Sequence, residues 1–181
     1  MNELWDILDE NGNKTGRTVE RGKPMGEGEY HLCVYVWITN NNGEFLIAKR
    51  SPSKKESPDM WECVGGNAVS GDDSLTTALK EVSEEIGITL MPQNGRLMKH
   101  FKRRNLNGDE SFADVWLFKQ EVDIADVVLC SGETCDAKWA SCDEISRMID
   151  ERVFVTWETF SDLNELLELF DSAASTSEEG K

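Results

Sequence analysis

Histidine is nearly absent from the chain, with two residues in 181, and none of the five cysteines forms a Cys-x-x-Cys pair. Zinc sites want soft ligands in close, paired spacing, so this inventory argues against one. Cys33, Cys63, Cys130, Cys135 and Cys142 read instead as reduced thiols, several of them buried. No apolar run reaches the length of a membrane span. The acidic start Met1-Asn2-Glu3-Leu4-Trp5-Asp6 lacks the basic segment and apolar core of a signal peptide, so a cytoplasmic protein is expected. Positive charge is also scarce: 19 Lys and Arg against 35 Asp and Glu leave a net charge of −16. That excess repels nucleic acid and anionic membranes, and neither is expected as a partner. A small phosphorylated substrate stays compatible where a metal ion and a local basic patch offset its charge.

What the chain holds in quantity is acid, and part of it is ordered on a helix. Gly66-Asn67-Ala68-Val69-Ser70-Gly71 reads as a glycine-rich loop, Asp73 or Ser74 as a helix start, and Gly87 as the stop. Leu75, Ala78, Leu79, Val82 and Ile86 recur at helical spacing and predict a face packed on a sheet. Glu81, Glu84 and Glu85 fall on the other side at i, i+3 and i+4, where like charges repel. A solvated acidic face is one reading of them. A hard divalent ion held between them is the other, because oxygen ligands in that arrangement suit Mg²⁺ or Mn²⁺.

Strand patterns surround this helix. Residues 4–19 read as a hairpin turned at Asp9-Glu10-Asn11-Gly12-Asn13. Residues 32–38 are apolar on both faces, as in a covered central strand, and 44–50 return beside them. Arg50 at that strand's end is a candidate for a substrate phosphate, with a solvated strand end as the plainer reading. Residues 60–66 form a short strand that delivers the glycine loop. Residues 97–104 predict a strand ending in the basic cluster Lys102-Arg103-Arg104, and 111–119 return after a turn. On the returning strand Phe112, Asp114, Trp116 and Phe118 share one face, which makes Asp114 either a site residue or a cross-strand partner of Lys102 or Arg103. An acidic loop carries Glu133 into a further strand, and Ser141 opens a short helix by capping-box spacing. Trp157, Phe160, Leu163, Leu166, Leu167 and Phe170 predict a last amphipathic helix. The whole reads as one domain over residues 1–171, hairpin 1–20 included, with a disordered polar tail at 172–181.

One long pattern spans Gly66 to Ile88: glycine, five residues, an acid, seven residues, a base, Glu, an apolar residue, any residue, Glu-Glu, any residue, glycine, an apolar residue. It resembles the Nudix box of the Nudix hydrolase superfamily. Asp72 stands where that family usually has Glu, and Lys80 where it usually has Arg. Outside the box, Glu29-Tyr30-His31, Phe45-Leu46-Ile47-Ala48-Lys49-Arg50-Ser51, Met60-Trp61-Glu62 and Asp136-Ala137-Lys138-Trp139 are similar to a bacterial subgroup that also resembles isopentenyl-diphosphate isomerase.

The resemblance implies an α/β (α+β) fold, the Nudix-type α/β/α sandwich with a mixed central sheet. It implies hydrolysis of a nucleoside diphosphate derivative, NDP-X to NMP and P-X, by attack of water on phosphorus. Glu81, Glu84, Glu85 and the carbonyl of Gly65 or Gly66 would hold Mg²⁺, with Mn²⁺ as a substitute. Lys80 would orient Glu81, Asp72 would hold the loop or a metal-bound water, and the general base would be Glu84 or Glu81 in the box or Glu133 on the distant loop. Arg50, Arg103 and Asp114 are the substrate-binding candidates, Trp37, Trp61 and Trp116 are candidate surfaces for a base or sugar, and a homodimer would accord with the family. Two other functions stay open. An isomerase of isopentenyl diphosphate would need a cysteine and a metal-binding histidine near Val64-Gly65-Gly66-Asn67, and neither is there. A nucleotide-binding protein without turnover would accord with the departures at Asp72 and Lys80.

Overall fold

A 7-stranded sheet and a separate 2-stranded hairpin carry the fold in the computed structural model, which describes residues 3–104 and 110–155. The expected helix at 157–170, the tail at 172–181 and most of the turn before residue 110 lie outside the described residues. The axis of the sheet is β3 (His31–Thr39), where Val34, Val36 and Ile38 on one face and Cys33, Tyr35 and Trp37 on the other are all buried. Burial on both faces demands a covering layer on each side. It also removes Trp37, 1% exposed, from the surfaces available to a base or sugar.

Numbered in chain order, the other strands of this sheet are β4 (Phe45–Arg50), β5 (Trp61–Glu62), β6 (Val64–Asn67), β7 (Gly95–Arg104), β8 (Glu110–Lys119) and β9 (Thr134–Ala140). Parallel pairing joins β3 to β8 from His31↔Ser111 to Thr39↔Lys119, and β7 pairs antiparallel outside β8. On the other edge of β3 the sheet divides. Its early half pairs with β6, whereas β4 meets it only at Thr39↔Phe45 and pairs instead with β5 and β9. The stretch expected as one short strand is therefore two, leaving β4 after Glu62 and joining β3 at Val64. Side-chain alternation survives the switch: Glu62 stands opposite Ala48, Val64 opposite Val36 and Gly66 opposite Val34, all on one face.

That face is covered by α1 (Ser74–Ile86), whose Ala78, Val82 and Ile86 bury against Val34, Val36, Ile38, Leu46, Ala48 and Phe118. Asp73 caps its start by accepting from the Thr76 amide, and Gly87 ends it in the left-handed region at φ 71°. On the opposite face α2 (Cys142–Asp150), capped by Ser141, packs Ile145 and Met148 against Tyr35, Trp37, Val115 and Leu117. The architecture is the expected α/β/α sandwich with a mixed sheet. The hairpin of β1 (Leu4–Leu8) and β2 (Lys14–Glu20) joins it through a bridge between Leu8 and Tyr30. Among the described residues no helix is long and apolar enough to cross a membrane.

Ile86 is fully buried at the end of α1, and Ile86→Ala should lower the unfolding free energy by about 2–5 kcal/mol in urea denaturation. A loss below about 1 kcal/mol would show that the helix is not held by this face.

Candidate active site

The apolar stripe of α1 turns Glu81 and Glu85 toward the sheet margin, half-buried, and leaves Glu84 exposed outside them. Beneath Glu81 lies Gly66, where an added Cβ would overlap the Glu81 carboxyl carbon and both its oxygens. The missing side chain is thus what lets the helix carboxylate and the loop backbone approach. From the sheet, β5 presents Glu62, 8% exposed and ion-paired to Arg50 at 2.6 Å. Burial, with Glu84 and Glu3 adding to it, pushes the Glu81 carboxyl up to about 7 against the opposing pull of Arg21 and Lys54. Burial, then Glu62 and Glu81, pushes Glu85 up to about 8 in the same way, and burial also raises Glu62 despite Arg50. Glu85 Oε2 is buried and has no hydrogen-bond partner among the described residues.

Such a set, acceptor oxygens crowded together and one of them orphaned, fits a hard divalent cation. Among the described residues no three acidic, histidine or cysteine side chains close on one point as a complete cage. Mg²⁺ does not require one, since it commonly keeps several waters and takes one or two carboxylates.

Other expected residues fall into three groups. Glu133 is brought to the site: it ion-pairs with Lys54, and its loop is strapped to the end of α1 by Cys130 N and Thr134 Oγ1, which both donate to the Glu85 carbonyl at 3.0 and 2.7 Å. Lys80 is brought near but does other work than expected, since it donates to both oxygens of Asp72 at 2.8 and 2.7 Å instead of orienting Glu81. A single ammonium satisfied by two carboxylate oxygens of the loop has no reason to turn back to its own helix neighbour. Asn67, Val69, Asp72, Thr77, Lys80, Glu81 and Glu84 together line a shallow depression at this end of the helix.

Arg103 and Asp114 have other contacts. Arg103 lies over the Tyr35 ring, 5.7 Å from its centroid, on the face of the sheet turned to α2. Asp114 is buried and meets its cross-strand neighbour His100, Nδ1 to Oδ1 2.5 Å, rather than Lys102 or Arg103. Lys102 instead stands over Tyr30 and Phe112. Arg50, expected at a phosphate, is held by Glu62 and by the Glu56 carbonyl. Trp116 ties β8 to the start of α1 by donating to Ser74 Oγ, and Trp61 lies under the Lys138 ammonium, 4.9 Å from its ring centroid.

Two residues of this site escaped the sequence reading, Glu62 and Lys54. Glu62 had a signal, because it is four residues before Gly66 on a strand and so shares its face. Lys54 had none, being one of two adjacent lysines in a loop.

The NUDIX domain family model matches residues 29–163 of the sequence. The chain belongs to the Nudix hydrolase family. An uncharacterised Nudix hydrolase of Listeria monocytogenes is 33% identical over 158 residues, covering 86% of this chain and 89% of the relative. Isopentenyl-diphosphate Delta-isomerase of Citrobacter koseri is 28% identical over 85 residues, 46% of this chain and 47% of that enzyme. Among solved structures, a Deinococcus radiodurans protein superposes with a TM-score of 0.68 at 20% identity, covering 92% of this chain and 98% of its own. A bifunctional NMN adenylyltransferase/ADP ribose pyrophosphatase of Francisella tularensis, complexed with AMP and a Mn ion, superposes with a TM-score of 0.56 at 20% identity over 70% of this chain and 38% of that one. These two likenesses show the Nudix fold. Nudix hydrolases generally use divalent metals.

The raised carboxyls fix the sign of a pH effect. In the unfolded chain Glu81 and Glu85 release their protons near 4.5, whereas the folded state keeps them to about 7 and about 8. Between those values the folded state binds more protons, so stability falls as pH rises. Metal-free protein should therefore melt at progressively lower temperature from pH 5 to pH 8, and Glu85→Gln should flatten that decline; a flat wild-type profile would refute it. Separately, Gly66→Ala should displace the Glu81 carboxylate and weaken Mn²⁺ binding about tenfold or more in a calorimetric titration. Unchanged affinity would place the ion elsewhere.

Proposed function

We propose that the protein hydrolyses a diphosphate linkage in a nucleoside diphosphate derivative, NDP-X to NMP and P-X, with Mg²⁺ or Mn²⁺ as cofactor. The observation that carries this reading is the mutual electrostatic pressure of Glu62 and Glu81 on the largely buried Glu85, whose Oε2 has no hydrogen-bond partner among the described residues. The Mn ion and AMP in the Francisella structure support the same choice of cofactor and substrate class.

Glu81 and Glu85 would hold the ion, and the absence of a side chain at Gly66 leaves room for the Glu81 carboxylate against the loop backbone. When bound, the ion offsets the charge of the diphosphate and makes an attacking water more acidic. Lys54, whose charge acts on Glu62, Glu81 and Glu85 together, supplies a second positive charge at the substrate phosphates. Arg50 keeps Glu62 oriented rather than meeting substrate directly. Glu84, exposed at the rim beside Glu81, takes the proton of the attacking water. Glu133 could serve as base only after its ion pair with Lys54 opens, which favours Glu84. Isomerisation is disfavoured by the state of Cys63, the thiol next to Val64 and the glycines. Cys63 is 2% exposed, belongs to the apolar cluster on the α2 face, and is pushed well above its ordinary pKa by burial.

The test is a panel of nucleoside diphosphate derivatives, ADP-ribose included, assayed for nucleoside monophosphate with Mg²⁺ and with Mn²⁺. Turnover of at least one member is expected. Glu85→Gln should reduce it by more than about a hundredfold, beyond the loss caused by an outer hydrogen-bond partner, with the circular dichroism spectrum retained. No turnover of any member with either ion would overturn the hydrolytic reading in favour of nucleotide binding alone.

A further inference from the structure

Resting on the metal-holding role proposed for Glu81 and Gly66, we infer that the N-terminal hairpin is part of the active-site apparatus, with Asp6 as the positioning residue that fixes the glycine-rich loop. The hairpin and the loop are joined by directed polar contacts between residues 58 to 66 positions apart in the sequence. Ser70 N donates to the Leu4 carbonyl at 2.7 Å, Ser70 Oγ to Asp6 Oδ1 at 2.6 Å, and Gly71 N to Asp6 Oδ2 at 3.0 Å. Lys14, from the second strand of the hairpin, stands 2.7 Å from Asp6 Oδ2 and donates to the Asp72 carbonyl at 3.0 Å. Three consecutive loop residues are thereby held by two hairpin side chains.

The other end of the loop is held as well. Trp5 stacks on His31 with centroids 4.4 Å apart, and His31 Nε2 lies 3.0 Å from Oδ1 of Asn67, the residue next to Gly66. Where the hairpin ends, Arg21 pairs with Glu3 at 3.0 Å, and both charges act on Glu81. Docking alone would need only the buried Ile7 and Leu8. Asp6 adds charge-assisted bonds, which are shorter, stronger and more directional than neutral ones. Burial by itself would raise its pKa, but Lys14, Ser70 and Gly71 outweigh that and hold the carboxyl at about 2, so it is a permanent anion at neutral pH.

The consequence lies at Gly66. With no room for even a methyl group between that residue and Glu81, a small displacement of the loop backbone displaces the Glu81 carboxylate that rests against it. Asp6 never touches substrate. It acts through Ser70 and Gly71.

Mn²⁺ titration by calorimetry on wild type, Asp6→Ala and Ser70→Ala tests this, with thermal melts run alongside. Asp6→Ala should weaken Mn²⁺ about tenfold, in the range seen on losing an outer-shell partner, and Ser70→Ala, which removes a single bond and keeps the fold should Asp6→Ala not, should weaken it less but measurably. A role in folding alone would lower the melting temperature of both variants and leave the Mn²⁺ affinity of the folded protein as in wild type; that result overturns the inference, as does a wild type without Mn²⁺ binding. Wild type that binds Mn²⁺ but cleaves no diphosphate defeats the hydrolytic reading alone, and loss of affinity in the two variants then still supports the positioning role.

Discussion

Glu81 and Glu85 stand one turn apart on a helix that must bury its other face, and the sheet presses Glu62 toward them from below. Three carboxylates in partial burial repel one another and lose hydration, and the protein answers in two ways. Glu81 and Glu85 keep their protons to about 7 and about 8, and Arg50, Lys54 and Arg21 are drawn in around them. In a chain of net charge −16, three cations within reach of one pair of glutamates mark where the scarce positive charge has been concentrated. Among the described residues Glu85 Oε2 still has no hydrogen-bond partner, and a bound cation would satisfy it.

The division of the sheet makes this crowding possible. Were β4 paired along the whole of β3, Gly66 could not lie against Val34, because that edge of β3 would be filled. By passing from β4 to β3 between Glu62 and Val64, the chain sets Glu62 and Gly66 two alternations apart on the same face, one toward Glu85 and the other beneath Glu81. The carboxylate and the glycine thus follow from one topological step, and α1 packs where that step leaves an apolar floor of Val34, Val36, Ala48 and Val64.

Local periodicity explains what could be read from the sequence. The cap at Asp73, the stop at Gly87, the apolar stripe of α1 and the double-sided burial of β3 are properties of a few neighbouring residues, and each recurs in the structure. Gly66 was named through the resemblance of the box, as one of two glycines, and not through periodicity. Arg103 was a candidate from its basic cluster and Asp114 from period-2 alternation, which assigns a face but not the neighbour across it; the register of β7 on β8 sets His100 beside Asp114, and Arg103 lies over Tyr35. Lys54 and Asp6 were invisible, since their partners lie 79 and 64 residues away and nothing local to a lysine in a loop or an aspartate in a hairpin announces them.

The two departures from the usual box, Asp72 and Lys80, are best understood as one. Asp is a methylene shorter than Glu, and Lys is a flexible point charge where Arg is a rigid fork. In this protein they meet each other, with both Asp72 oxygens within 2.8 Å of the Lys80 ammonium. A flexible lysine can follow a shortened acid more readily than a planar guanidinium, and here the pair closes. The Asp72 backbone is meanwhile held from the far side by Lys14. The box therefore keeps Glu81, Glu84 and Glu85 unchanged, and its loop is held in addition by Asp6 and Lys14 of the hairpin in front of it, although the family match begins only at residue 29.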